Sequence, residues 1–236
     1  MAKNVTRRTF LSAAGPGAAA VAATSAWAAP AAENEAGIKL IGVACSPRKG
    51  KTTAQSLSIC LEAAKGVAPD RIDVELIELA GLTIPAQVVA GIPLEPGEKD
   101  DFPDVASKLS DPKVAGILVG TPVYFANMTA LCKTFIDRCG QFRKNDFQLS
   151  GKVGSVVAVG GVRNGGQELT IQSVQAALFC HEMLLVGDGR PTGHFGARLW
   201  NDGSDDISQD EFGVLTAKNL GRHVAEVALG RSGLTR

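Results

Sequence analysis

The polar chemistry of this 236-residue chain gathers in three loops, each set behind an apolar run. The first is Cys45-Ser46-Pro47-Arg48-Lys49-Gly50-Lys51-Thr52-Thr53, which follows Ile38–Ala44 and leads into a segment of helical character. A helix start offers unpaired N–H groups and the positive end of its dipole to an anion. The backbone N–H groups from Arg48 to Thr52, the hydroxyls of Ser46, Thr52 and Thr53, and the charges of Arg48 and Lys51 can therefore converge on one phosphate. An ordinary strand-to-helix turn with surface lysines fits the same residues. A nucleoside triphosphate P-loop does not, because it needs a glycine five residues before the Gly-Lys pair. Cys45 stands there, and Gly42 is three residues too early. The apolar run ending at Gly120-Thr121-Pro122 also lacks the acidic residue that would help hold magnesium.

The second loop is Thr121-Pro122-Val123-Tyr124-Phe125-Ala126-Asn127, behind Val114–Gly120. It carries the single tyrosine of the chain, and Tyr124 with Phe125 could form an aromatic platform at the end of a central strand. Core packing of both rings is the competing reading. Asn127 is suited to cap the following helix, whose apolar residues Met128, Leu131, Cys132, Phe135, Ile136 and Cys139 recur at helical spacing. The third loop runs from Gly160 to Glu168 behind Val153–Val159 and holds Gly160, Gly161, Gly165 and Gly166. Such a run lets backbone approach a ligand closely, or it is a surface turn.

These loops need elements to hold them. The apolar runs Ile38–Ala44, Val114–Gly120 and Val153–Val159 read as buried strands, and Ile72–Leu79 alternates like an outer one. Met183–Val186 supplies a fifth strand, followed by a long polar loop over Gly187–Ile207 and a last helix starting at Ser208 or Asp210. Helices are expected over Lys51–Lys65, Phe102–Leu109, from Met128, and up to about Phe179. The expected architecture is an α/β doubly wound, five-stranded parallel sheet of order 2-1-3-4-5 with helices on both faces. Its crevice lies at the carboxyl ends of strands one, three and four, where the three loops are. The connection Ala80–Asp101 is long for its kind, which suits a cover over a site or a subunit contact.

Composition sets wider bounds. Hydrophobic residues at 45% and 27 glycines suit a loop-rich α/β protein, and a formal charge of zero gives no support to a nucleic-acid surface. Residues 1–28 read as an export signal, with basic Lys3, Arg7 and Arg8, a weakly apolar alanine-rich stretch, and a small-x-small site at Ala26-Trp27-Ala28. Thr6 to Ser12 resembles the twin-arginine signal, which implies a periplasmic, folded cargo without a stable membrane span. Residues 29–37 are then a short leader, 38–230 the folded domain and 231–236 a tail. Of the five cysteines, Cys60, Cys132, Cys139 and Cys180 fall at helical positions and are expected as buried thiols. No CxxC occurs, and no metal site is expected.

The mature chain resembles the flavodoxin-like NAD(P)H-dependent FMN reductase superfamily over Ile38 to Leu229, on the branch that includes the iron–sulfur flavoproteins. The resemblance implies that Ser46, Arg48, Lys51, Thr52 and Thr53 hold an FMN phosphate. It implies that Pro122, Val123, Tyr124, Phe125 and Asn127 lie along the flavin and ribityl chain, and that Gly161, Arg163, Gly165 and Gly166 meet the pyrimidine edge. Asp137 and Arg138, inside the helix, tie helices or subunits together. The chain departs from the iron–sulfur branch in having no cysteine over 80–101, so no cluster is expected. It departs from the family in its export signal, which leaves NAD(P)H uncertain as electron donor. The implied activity is electron transfer through non-covalent FMN to a small organic acceptor or redox partner. The alternative is an exported flavodoxin-like carrier that docks with a cytochrome or quinone enzyme. A homodimer or homotetramer is expected, because the segment from Leu82 to Leu94 and the residues Phe195 and Trp200 have no evident cover in a lone sheet.

Overall fold

The computed structural model describes residues 37–232. The expected export signal, most of the expected leader and the last four residues lie outside them. The elements run β1 (Ile38–Ala44), α1 (Thr52–Lys65), β2 (Ile72–Glu78), a 3-10 turn (Gln87–Ala90), α2 (Phe102–Leu109) and β3 (Val114–Pro122). Then come α3 (Ala130–Arg138), α4 (Gly140–Lys144), β4 (Val153–Gly160), α5 (Gln167–Phe179), β5 (Leu184–Leu185), β6 (Ala197–Trp200) and α6 (Glu211–Ser232). The strands pair in parallel in the order β2-β1-β3-β4-β5, as expected of a doubly wound sheet.

Strands β1, β3 and β4 are buried along nearly their whole length because helices cover both faces. Alternate residues point to opposite sides. Ile41 and Val43 join Phe102, Phe135, Phe142 and Ile171 in a core under α2, α3, α4 and α5. Leu40 and Ala44 join Leu57, Cys60, Leu220 and Val224 in a second core under α1 and α6.

The fifth strand differs from the expected Met183–Val186. Only Leu184–Leu185 pairs, at the start of β4, and the chain then leaves the sheet. It returns as β6, inside the stretch expected to be loop, and pairs Ala197–Trp200 with Val157–Gly160. The physical reason is local. Buried Asp188 accepts the His194 N–H and closes the excursion on itself. Gly196 then meets β4 so closely that a Cβ would collide with the Val156 carbonyl oxygen. Ala197 and Leu199 are buried in the core under α6. One sheet edge is thus made of two short pieces, each too short to announce itself in sequence.

Helix α6 begins after Asp210, whose Oδ1 accepts the Gly213 N–H at 2.8 Å, and continues into the expected tail as far as Ser232. Cys180 is a correction. It lies exposed just after α5, whereas Cys45, Cys60, Cys132 and Cys139 are buried, and all five thiols are free. Burial pushes the Cys60 and Cys139 thiols well above their ordinary range. Among the described residues no helix is long and apolar enough to cross a membrane.

Candidate functional site

At the first loop, the Arg48 N–H donates to Ser46 Oγ at 3.1 Å, which curls the chain just after β1. Ser46 is buried, as are Thr52 and Thr53 in the first turn of α1. Lys51 precedes that turn in extended conformation, and no side chain caps the helix there. The Gly50 N–H donates to Glu78 Oε2 at 2.6 Å. Arg48 Nη1 lies 2.7 Å from Asp205 Oδ1, and Lys51 Nζ lies 3.1 Å from Asp205 Oδ2. Both cations therefore converge on a single carboxylate beside an uncapped helix start. Lys51, then Arg48, holds the Asp205 carboxyl below the usual carboxylate range. Asp205 belongs to the loop between β6 and α6, outside the three loops that the sequence singles out.

The second loop is tied to the first through Thr129. Its Oγ1 donates to the Cys45 carbonyl at 2.8 Å and accepts the Cys132 N–H at 3.1 Å, so Thr129 is the cap of α3. Asn127, expected in that role, is two residues too early and is used otherwise. Its backbone pairs with Tyr124 in both directions, at 2.8 and 3.1 Å, and its Oδ1 accepts the Met128 N–H. Between them Phe125 and Ala126 sit at φ of 51° and 59°, a tight turn in the left-handed region that costs non-glycine residues about 1–2 kcal/mol each. The turn lifts the Phe125 ring fully into solvent and leaves Tyr124 half exposed, so the rings are not core residues. Pro122 and Val123 are half-buried, and the Val123 N–H donates to the Val159 carbonyl at 2.9 Å.

The third loop touches the second. Gly166 has φ +97°, and a Cβ there would lie 2.8 Å from Ala126 Cα, so a side chain would push the two loops apart. Gln167, which is not among the expected site residues, is buried and closes the loop. Its Oε1 accepts the Gly165 N–H at 2.8 Å, while Nε2 donates to Val162 O at 2.6 Å and Leu199 O at 3.2 Å. Gly161 has open space on its side-chain face. The Arg163 guanidinium turns toward α6, pairs with buried Asp210 and lies 5.8 Å over the Trp200 ring.

The structure thus brings the three loops to one edge of the sheet. The donor set at the first loop suits a phosphate monoester: two cations already drawn to one anion, three hydroxyl residues and an uncapped helix start. Local pattern finds neither Asp205 nor Gln167. The partners of Asp205 lie in another loop, and Gln167 reaches Leu199 across the fold. Among the described residues no group of three His, Cys, Asp or Glu side chains is placed to hold a metal ion.

The fold defines a flavodoxin-like protein whose three loops meet at the carboxyl edge of its sheet. A family model described as NADPH-dependent FMN reductase matches residues 38–196, and the chain belongs to that family of FMN-binding oxidoreductases. It is 40% identical over 192 residues to an iron–sulfur flavoprotein of Methanocaldococcus jannaschii, covering 80% of this chain and 97% of that one. It is 32% identical over 185 residues to an NAD(P)H dehydrogenase (quinone) of Acidithiobacillus ferrooxidans, covering 70% and 86%. Among solved structures, an apo NADH:FMN oxidoreductase superposes with a TM-score of 0.59 at 19% identity, covering 80% of this chain and 89% of that one.

Proposed function

We propose that the chain is an FMN-dependent oxidoreductase that passes electrons from a donor to a small organic acceptor. The observation that carries this reading is the meeting of Arg48 and Lys51 at one anion, beside the uncapped start of α1. Ser46, Arg48, Lys51, Thr52 and Thr53 would hold the phosphate. Pro122, Val123, Tyr124, Phe125 and Asn127 would lie along the ring and ribityl chain, and the backbone of Gly161, Arg163, Gly165 and Gly166 would meet the pyrimidine edge. FMN, when bound, supplies the redox chemistry. The chain binds and orients it, with the second and third loops held together where Gly166 meets Ala126. The exposed rim is apolar at Tyr124, Phe125 and Val162, which favours an organic acceptor over the charged rim of a protein carrier.

FMN should bind one per chain and far more tightly than FAD. Arg48→Ala should weaken it by one to two decades, since a charge-assisted hydrogen bond contributes roughly 1.5–3 kcal/mol. Titration of the flavin by fluorescence reads both, and equal affinity for FAD would overturn the assignment. The relatives' iron–sulfur chemistry is not carried over, because residues 80–101 hold no cysteine.

The same proposal puts the protein in the periplasm, on the strength of Arg7, Arg8 and the site at Ala28. That compartment lacks a stable pool of reduced nicotinamide, so a quinol or a redox protein is the proposed donor in place of NAD(P)H. Replacing both arginines by lysine should hold the precursor in the cytoplasm. A processed form outside at the normal rate would refute export by this route.

A further inference from the structure

Strands β1 and β2 end level, with Ala44 opposite Glu78, so the last side chain of β2 stands beside the loop that leaves β1. Gly50 in that loop has φ +66°, a left-handed turn that glycine takes without strain. Its N–H donates to Glu78 Oε2 at 2.6 Å. Arg48 and Lys51, the two cations paired in this loop, are drawn to Asp205. Two carboxylates of the chain therefore hold donors of the first loop, and they are not equivalent. Asp205 sits on the cations themselves, where a phosphate would take its place. Glu78 sits on a backbone donor and keeps its charge at a cavity that Gly50 also lines.

That cavity has a volume of about 780 Å³, within the roughly 300–1,000 Å³ usual for small-molecule sites. Ile59, Leu76 and Val214 give it apolar surface. Glu78, Asp206 and Glu211 bring three carboxylates to its lining, against one lysine, Lys218. There is room here for the nucleoside of a dinucleotide flavin. A second phosphate leading into it would meet like charge and would find the Gly50 N–H already taken.

We infer that Glu78 limits the first loop to one phosphate, so that the chain takes FMN and refuses FAD by charge and donor count instead of by size. The inference rests on the flavin reading proposed above and names a residue that sets its specificity. Two effects act together. A carboxylate beside a phosphate group repels it, which selects against the partner that carries the extra charge. A diphosphate also needs more donors than a monoester, and withholding one hydrogen bond to a charged group weakens a ligand by about one to two decades.

The test titrates the flavin-free full chain with FMN and with FAD, by fluorescence and by calorimetry. Glu78→Ala frees the Gly50 N–H and removes the charge, and should move the FAD-to-FMN affinity ratio toward FAD by about tenfold or more. Glu78→Gln keeps an acceptor for Gly50 and removes only the charge, so it should give part of that shift. Glu62→Gln removes the same charge from an exposed position near the far end of α1, and should leave the ratio unchanged. An unchanged ratio in both Glu78 variants, or an equal shift in Glu62→Gln, would overturn the inference while FMN binding stands. Equal wild-type affinity for the two flavins would overturn it together with the FMN assignment. If neither flavin binds, the cofactor reading fails, and inorganic phosphate and pyrophosphate then decide on Glu78. Wild type should prefer phosphate, and Glu78→Ala should lose that preference. Binding of neither ion, a wild-type preference for pyrophosphate, or a phosphate preference that survives Glu78→Ala would overturn the inference.

Discussion

At the residue scale, Asp205 is the side chain with which a phosphate at the proposed site would compete. Its carboxylate holds Arg48 and Lys51 where a phosphate monoester would draw them, and it brings a negative charge to the same place. Asp205→Asn should remove that repulsion and tighten FMN several-fold, the opposite direction to Arg48→Ala. The gain should depend on pH in a defined way. The Asp205 carboxyl is lowered by Lys51 first and Arg48 next, so its ion pairs are fully present above the ordinary carboxylate value of about 3.9. They are lost only as pH falls through the lowered value. The difference in FMN affinity between wild type and the Asp205→Asn variant should therefore hold constant from neutral pH down to about 5 and close in stronger acid. Flavin titrations across that range measure it. A variant that binds FMN more weakly at neutral pH would show that Asp205 positions the cations instead of competing at them. The placement of Ser46, Arg48 and Thr52 at the start of α1 was legible in the sequence because it follows from one strand running into one helix. Asp205 was not, since it stands 157 residues from Arg48 and only the fold joins them.

At the scale of elements, the long connection after β2 is strapped to α3 by one side chain. Arg138 is buried, donates to Asp100 at 3.1 and 2.6 Å and to the Pro85 carbonyl at 3.0 Å, and lies 4.7 Å over the Phe102 ring. Burial raises the Asp100 carboxyl, but Arg138 and the Phe102 N–H outweigh it and hold the group below its ordinary value. Arg138→Ala leaves that carboxylate nearly buried and unpaired, at a cost of about 3 kcal/mol. Urea unfolding should show a lower midpoint with little change in slope. An unchanged midpoint would mean that the strap contributes nothing net. The contribution of the pair is present above the ordinary carboxylate range and disappears as pH falls through the lowered value, so wild type and variant should converge in acid. In sequence Arg138 falls inside a helix and reads as a tie between helices or subunits. Which tie it makes is not readable there, for Pro85 and Asp100 lie in a connection without periodicity. The same blindness hides β6, where four residues pair only because Asp188 and Gly196 return the chain to β4.

At the scale of the molecule, strand order was legible because right-handed crossovers and three buried apolar runs leave few arrangements open. Assembly is a different matter, since it depends on what the finished surface leaves uncovered. Arg138 accounts for the inner side of the long connection, yet Val89 and Ile92 remain 48% and 55% exposed on its outer side. Around the site, Phe125 is fully exposed, and Val162, Leu169 and Phe195 stand more than half out. Scattered apolar side chains on a surface need no explanation, but a phenylalanine held at the tip of a strained turn does. We propose that a second copy of this chain covers it, walling the crevice at the same time. Phe125→Asp should then shift the protein toward monomer and weaken FMN together, because one contact serves both. Sedimentation velocity at micromolar concentration, run with and without FMN, separates the possibilities. A wild-type monomer in both runs would defeat the proposal. A dimer untouched by Phe125→Asp would move the contact elsewhere, with Val89 and Ile92 the next residues to charge.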